Sequence, residues 1–172
     1  MKYLGLVILM AIGFTSCQEQ QKIGFIDNGE VINAYQAKID LEETYKEKDV
    51  VFQKRRDSMI AAYQLELKEA QVKAQRMSQA KLQELSQQIQ QKEQMLSQKI
   101  QSEQQEMQKS FQADIDSVIV KVKGFVQDYG KTNGYTYILG TSENAASVLY
   151  GKEENNLSKE ITEALNAAYE KK

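Results

Sequence analysis

The sequence predicts an α+β fold in which a long antiparallel α-helical hairpin projects from a small β-sheet body. The first observation is that no glycine occurs between Gly29 and Gly124 and that the 172-residue chain contains no proline, so the usual helix breakers are missing there. The second is an apolar residue at every eleventh position, a repeat of about 3.67 residues per turn that keeps one helix face apolar. This row consists of Leu41, Phe52, Tyr63, Ala74, Leu85, Leu96, Met107, Val118 and Tyr129.

A second apolar row extends the pattern in the C-terminal half of the arm. Residues four positions apart are neighbours on a helix surface, so the two rows together form a seam along which helices can pack. The second row consists of Ile89, Ile100, Phe111 and Val122. Met107 belongs to the first row and Met59 follows Phe52 by seven residues, so we expect both methionines in the hairpin core.

Strand-like segments lie on both sides of the predicted arm, residues 28–132. Residues 22–27 end at an Asp-Asn-Gly turn signal, and Tyr135–Leu139 and Ser147–Tyr150 are similar runs downstream. One straight helix between them would hold the strands roughly 150 Å apart. We therefore predict that the arm folds back near residue 80, so that strands from both ends share one sheet.

The last segment predicts a short helix that covers this sheet. Ser158 is a candidate N-cap, and Leu157, Ile161 and Leu165 share one face. Residues 22–27 and 133–172 would then form a body of three strands and one helix. Such a body is too small to be stable alone, because a small sheet needs further strands or a cover to bury a face. Oligomerisation is therefore expected.

The residue inventory argues against nucleic-acid binding and against catalysis. A net charge of -2 gives no general attraction to a phosphate backbone. The chain has no histidine and one cysteine, which excludes a Ser/His/Asp triad, a Cys/His zinc cluster and an internal disulfide. Glutamate pairs such as Glu42-Glu43 occur without an apolar pocket around them. We expect no catalytic residues, no metal and no cofactor.

The first residues have the pattern of a bacterial export signal. Lys2 is followed by the apolar run Leu4–Phe14, which is too short to span a membrane. The run ends in Phe14-Thr15-Ser16-Cys17, which resembles the lipobox of bacterial lipoproteins. In those proteins the cysteine is acylated and becomes the mature N-terminus.

The lipobox resemblance implies residues 1–16 as signal peptide, Cys17 as lipid attachment site and residues 17–21 as a tether. The protein would then be periplasmic and anchored to a membrane, with the inner face of the outer membrane favoured. The alternative is an ordinary secretory signal in which Cys17 is a bystander, which would release a soluble periplasmic protein. Both alternatives place the chain outside the cytoplasm.

The order of these segments resembles the Skp/OmpH family of periplasmic chaperones over residues 22–169. The resemblance is carried by three motifs, Lys22-Ile23-Gly24-Phe25-Ile26-Asp27, Lys131-Thr132-Asn133-Gly134-Tyr135 and Asn156-Leu157-Ser158-Lys159-Glu160-Ile161. It implies a homotrimer in which strands of three chains close a β-barrel and three hairpins surround a cavity. Unfolded outer-membrane β-barrel proteins would be held there without ATP.

Two functions remain open from the sequence. The first is an ATP-independent holdase, with Met77 and Met95 near the tip as candidate client contacts because methionine adapts its shape to varied partners. The alternative is a lipid-anchored coiled-coil spacer of the cell envelope, which should have a rigid and continuous apolar seam. The glutamine-rich outer arm favours the compliant arms of a holdase.

Overall fold

The computed structural model describes residues 21–142 and 147–170. Its elements in chain order are β1 (Ile23–Asp27), α1 (Asn28–Ala34), α2 (Gln36–Ala74), α3 (Gln79–Thr132), β2 (Tyr137–Thr141), a 3-10 turn (Glu153–Asn155) and α4 (Ser158–Glu170). Helices α2 and α3 form a long antiparallel hairpin, and the remaining elements form a small body at its open end. The predicted fold class is confirmed.

The two strands pair in parallel, from Ile23 opposite Tyr137 to Asp27 opposite Thr141. Adjacent parallel strands need a crossover connection between them. Here the crossover is the whole helical hairpin, which leaves the sheet after β1 and returns before β2. Both ends of the arm therefore meet in one sheet.

The third strand predicted at Ser147–Tyr150 is wrong. The segment bends, and within the described residues it pairs with neither strand. Strand propensity takes effect only where a neighbouring strand edge and a buried face are available. The free side of β1 is instead met by Asn156, which forms a single bridge with Phe25. The N–H of Leu157 donates to the carbonyl of Phe25 at 2.8 Å.

The turn between α2 and α3 comprises residues 75–78, just before residue 80. It contains neither glycine nor proline. The N–H groups of Arg76 and Met77 each donate to a carbonyl three residues earlier, at 3.2 Å, which tightens the last turn of α2. Ser78 then adopts extended backbone with ψ of 158° and starts α3. A tightened helix end followed by one extended residue is enough to reverse the chain.

A second break in the helical structure occurs near the body, at Tyr35 between α1 and α2. The sequence did not predict this break. Tyr35 is extended, with ψ of 121°, and its buried ring packs edge-to-face on Tyr169 with centroids 5.8 Å apart. Asn166 of α4 spans the break. Its side-chain oxygen accepts from the N–H of Gln36 at 2.8 Å, and its side-chain nitrogen donates to the carbonyl of Ala34 at 3.1 Å. Tertiary contacts therefore set this break.

The hydrophobic core lies in the body, where α1, α4 and the end of α3 pack together with β1. Its buried members are Ile26, Val31, Tyr35, Val118, Val122, Leu157, Ile161 and Leu165. The predicted apolar stripe of the last helix is confirmed, since its three residues Leu157, Ile161 and Leu165 are all buried. The packing is close enough that a Cβ on Gly24 would lie 2.4 Å from Leu157 Cδ1.

Helix α3 ends in a Schellman motif that turns the chain into β2. Gly134 has a φ of 68°, a left-handed conformation that favours glycine. The N–H of Tyr135 donates to the carbonyl of Gly130 at 2.9 Å, and the N–H of Gly134 to that of Lys131 at 3.4 Å. The Asn-Gly-Tyr sequence noted above is therefore a helix C-cap.

Ser158 does not cap its own helix, because it is the first helical residue. Its hydroxyl accepts from the N–H of Asp27 at 2.8 Å and donates to the side-chain oxygen of Asn156 at 2.8 Å. The same Asn156 oxygen accepts from the N–H of Ser158 at 3.1 Å. The serine therefore joins the start of α4 to the end of β1.

Candidate functional site on the helical arm

The seam between α2 and α3 buries the side chains that the eleven-residue repeat marks. Every member of both rows is buried or half-buried. Phe52 is 4% exposed, and the ring of Tyr45 packs edge-to-face on Phe111 with centroids 5.0 Å apart. Met59 and Met107 are half-buried, as expected for residues of the hairpin core.

A column of polar pairs runs beside the apolar seam. Its α3 members are eleven residues apart, so they lie on one side of the helix. The pairs are Lys92 with Glu66, Glu103 with Arg55, and Asp114 with Tyr45. The Glu103–Arg55 ion pair is 2.6 Å long, and the Tyr45 hydroxyl donates to Asp114 at 2.7 Å. That hydrogen bond raises the pKa of Tyr45 above its ordinary value. Along the column the residue numbers rise on α3 as they fall on α2, as expected for two antiparallel helices.

The outer faces of the two arm helices, which point away from the seam, differ in chemistry. A step of two residues corresponds to a rotation of about 196° around the helix axis. The residue two positions before each seam residue therefore lies on the opposite side of the helix. On α2 they are Ile39, Val50, Ala61 and Val72, which we call the α2 outer row. On α3 they are Gln83, Gln94, Gln105, Asp116 and Gln127, which we call the α3 outer row. All nine are exposed, but only the α2 outer row is apolar.

Leu65 enlarges the α2 outer row, since it lies one turn after Ala61 and is 60% exposed. The equivalent position on α3, two residues after a seam residue, holds Val120, which is 67% exposed. Exposed charged side chains flank the row, namely Glu43, Lys46, Lys54, Asp57, Lys68 and Arg76. Asp57 is neutralised by Arg56 at 2.8 Å. Among the described residues, the four flanking cations make no ion pair. The flanks therefore carry a local excess of positive charge in a chain whose net charge is -2.

The predicted site residues do not form one site. Met95 lies on α3 and is 62% exposed, whereas Met77 lies in the turn and is half-buried. Met95 is about 24 Å along α3 from the start of that helix. Cys17 lies outside the described residues. The predictions from sequence did not include the α2 outer row. Its residues nevertheless repeat with the same eleven-residue spacing as the seam, offset by two positions.

The arm also carries an open groove of about 650 Å³ beside the seam. Val51, Phe52 and Met107 form its apolar part, and Lys48 lies on its wall with the ammonium 4.2 Å from the ring centroid of Tyr45. Because Val51 is 62% exposed, the groove continues onto the helix surface. It is suited to weak contacts with apolar groups rather than to enclosing a small molecule.

The body exposes apolar side chains as well. Ile23, Tyr137 and Leu139 are 44%, 57% and 40% exposed, and their alternate positions place them on one face of the sheet. Leu149 and Tyr150 are 93% and 87% exposed in the neighbouring segment. Apolar surface of this kind marks an interaction site when it is contiguous.

The described residues contain no group of three or more histidine, cysteine, aspartate or glutamate side chains that could hold a metal ion. None of the described helices is long and apolar enough to cross a membrane. The features that the structure does offer are exposed apolar surfaces on the arm and on the body.

Comparisons with known proteins agree with this architecture. The sequence model of the family described as outer membrane protein (OmpH-like) matches residues 22–165. The fold also matches the crystal structure of a proposed OmpH-like outer membrane chaperone from Caulobacter crescentus CB15, with a TM-score of 0.74 and 15% sequence identity over 86% of this chain and 85% of that chain. No curated protein matches the chain. Because the family match covers most of the sequence, the protein belongs to the OmpH-like outer membrane protein family.

Proposed function

We propose that this protein is an ATP-independent periplasmic holdase chaperone that binds unfolded outer-membrane β-barrel proteins between its coiled-coil arms and prevents their aggregation. Family membership supports a chaperone role, as does the description of the Caulobacter structure as a proposed outer membrane chaperone. The observation that carries the proposal is the exposure of large apolar side chains along the arm. Val51, Leu65, Val72 and Met95 are between 60% and 66% exposed.

Such side chains suit reversible capture of unfolded chains. When a client covers one of these side chains, a limited apolar area is removed from water, and this stabilises the complex by about 25 cal/mol per Å². Many weak contacts of this kind lower the concentration of unbound unfolded protein by mass action. They also break one at a time, so release needs no nucleotide. Met77 and Met95 are proposed to add to these contacts.

The active form is a homotrimer in this proposal, with the body as the assembly surface. A two-stranded sheet is marginal by itself, and this one exposes Ile23, Tyr137 and Leu139 beside the apolar segment with Leu149 and Tyr150. Burying these groups against further copies would complete a barrel. Size-exclusion chromatography with light scattering should give three chains per particle. A monomer at micromolar concentration contradicts the trimer.

The proposed location is the periplasm, with Cys17 acylated and anchored at the inner face of the outer membrane. The lipobox resemblance of Phe14-Thr15-Ser16-Cys17 supports the anchor, since two or more acyl chains hold a protein stably on a membrane. Cell fractionation of the Cys17→Ser variant tests it. The variant should move to the soluble periplasmic fraction, and its retention in the membrane fraction would rule out the anchor.

The holdase function is tested with the purified form that begins after Cys17. A urea-denatured outer-membrane β-barrel is diluted into buffer, and its aggregation is followed by light scattering with and without this protein. Suppression is expected near one trimer per client.

The second candidate function is a lipid-anchored structural spacer of the cell envelope. The polar pairs along the seam favour it, because they hold α2 and α3 in fixed register. No suppression of aggregation at a several-fold excess of trimer would favour this spacer and contradict the holdase.

A further inference from the structure

We propose that the end of the body at which β1 begins faces the membrane when the protein is anchored, so that the arms project from the lipid surface into the periplasm. The partner of this end of the body is the phospholipid bilayer. The inference rests on the proposed acylation of Cys17 and deepens the proposed location by giving the orientation of the anchored molecule.

The residue before β1 is fixed against the end of the longest helix. Helix α3 ends one residue before Asn133, and the Lys22 ammonium donates to the carbonyl of Asn133 at 3.1 Å. The same ammonium lies 4.0 Å from the ring centroid of Tyr135. The carbonyl of Lys22 accepts from the N–H of Thr136 at 2.7 Å. We call this part of the body the tether end, because the tether proposed for residues 17–21 joins the body here.

The hairpin tip lies at the opposite end of α3. This helix has 54 residues and is therefore about 80 Å long, with the turn of residues 75–78 just before its start. Strand β1 leads from the tether end toward the arm. Its later residue Ile26 belongs to the core cluster that contains Val118 and Val122, and these two valines lie roughly 15 to 20 Å before the end of α3. The tether end and the tip are therefore at opposite ends of the molecule.

The length of chain between the lipid and the body limits how far the body can lie from the membrane. From Cys17 to Lys22 a fully extended chain covers at most about 18 Å. This limit follows from covalent geometry and holds for any conformation of the segment. Acyl chains on Cys17 would therefore keep the tether end, rather than the tip, close to the lipid surface.

Assembly then fixes the direction of the arms. In a trimer with cyclic symmetry, equivalent residues of the three chains lie at the same level along the symmetry axis. The three tethers of the proposed trimer therefore leave one end of the particle. Laying such a particle on its side would lift at least one tether end away from the lipid, and short tethers oppose this. The arms, at the other end, point away from the membrane.

This orientation keeps the apolar side chains of the arm out of the lipid. Leu65 and Val72 are 60% and 66% exposed, and Lys68 lies beside them on an exposed helix face. A helix with exposed apolar groups and flanking cations can bind the membrane interface when it lies along it. An arm that points away from the membrane leaves these groups in water. Proteins that cross the periplasm toward the anchoring membrane therefore meet the arm tips first.

The test uses the full acylated protein, purified from membranes and reconstituted into vesicles of phosphatidylethanolamine and phosphatidylglycerol. Cys17 is the only cysteine of the chain and carries lipid, so one introduced cysteine gives a single site for a fluorescent donor. Lys131→Cys places the donor at the tether end and Gln79→Cys places it at the tip, and both positions are exposed. Energy transfer to acceptor-labelled lipid headgroups should be at least about fivefold more efficient from position 131, because the two positions are about 80 Å apart along α3.

The outcomes separate the orientation from the other proposals. Equal or stronger transfer from position 79 overturns the orientation and leaves the anchor and the holdase function standing. Protein that does not float with the vesicles overturns the anchor, and the orientation with it. The Cys17→Ser forms of both labelled variants are the matched controls and should show no transfer. Transfer from these forms would assign membrane binding to the body surface and overturn the tether as its cause.

A second measurement needs no substitution and decides the matter if circular dichroism shows that a labelled variant has lost helix. Neutron reflectometry of the acylated wild-type protein on a supported bilayer gives the thickness of the protein layer. We expect a layer of about 80 Å or more, since α3 alone has this length. A layer less than half as thick means that the arms lie along the membrane, and this overturns the proposal.

Discussion

The body and the arm bury their side chains to different extents, although both are built largely from helices. In the body, Val31 and Ile161 are 0% exposed and Leu165 is 3% exposed, because α1, α3, α4 and β1 surround them. In the arm, two helices pack on each other alone, and most seam residues remain half-buried. Stability therefore concentrates in the body, while the arm can open locally at lower cost.

The largest effect is expected from Ile161→Ala in the body core. Removing a fully buried side chain should lower the free energy of unfolding by about 2–5 kcal/mol, measured by urea titration with circular dichroism. Leu96→Ala at the half-buried seam is the matched arm variant and should cost less than half as much. Equal losses would contradict the smaller contribution that half-burial predicts for the arm seam. Ile161→Val, expected at about 0.5–1.5 kcal/mol, keeps the test usable if the alanine variant does not fold.

The next largest effect is expected at the break at Tyr35, where the body meets the arm. Asn166→Ala should leave the N–H of Gln36 and the carbonyl of Ala34 without their side-chain partner. The expected loss is about 1–3 kcal/mol, with faster hydrogen exchange of amides around Tyr35. Unchanged exchange there would mean that Asn166 does not hold the break. Asn155→Ala, on the exposed 3-10 turn, is a suitable control.

A pH-dependent effect is expected at Tyr129, which packs against the body core and donates a hydrogen bond to Glu160. Desolvation and this hydrogen bond raise the pKa of Tyr129 from 10.0 to about 12. Folding therefore favours the neutral phenol. The contribution is fully present below pH 10 and is lost as the pH rises from 10 toward 12. Urea titrations of wild type and Tyr129→Phe at pH 8 and pH 11 should show a steeper loss for wild type. Parallel losses contradict this.

The smallest effect is expected from the ion pair across the arm seam. Arg55 and Glu103 have side chains that are 56% and 26% exposed, so a double-mutant cycle with Arg55→Gln and Glu103→Gln should give about 0.2–1 kcal/mol of coupling. The coupling should decrease in high salt. A value above 2 kcal/mol would show that the arm is held more rigidly than its exposure suggests.

The features that could be predicted from sequence are those determined by local spacing. The eleven-residue repeat identifies the seam because periodicity alone decides which face of a helix Leu96 and Phe111 occupy. The same spacing would have identified the α2 outer row, since Val50 and Val72 repeat in the same way. Helix α4 was predictable for the same reason.

Features that depend on distant partners could not be predicted in this way. The break at Tyr35 depends on Asn166, which lies at the other end of the chain. The predicted strand at Ser147–Tyr150 failed because β propensity does not show which strand edge is available. The reversal at residues 75–78 uses hydrogen bonds rather than glycine or proline, so composition did not locate it sharply. Contacts between remote residues decide each of these cases.

The parallel pairing of β1 and β2 joins two segments that are far apart in the sequence. Strand β1 is separated from its partner in the chain by the whole of α1, α2 and α3. Closing so long a loop directly is entropically unfavourable and slow. Helical hairpins form from contacts closer in sequence, and zipping α2 onto α3 brings the strand ends together. We therefore expect the arm to form first and to act as the intramolecular template on which the sheet is assembled.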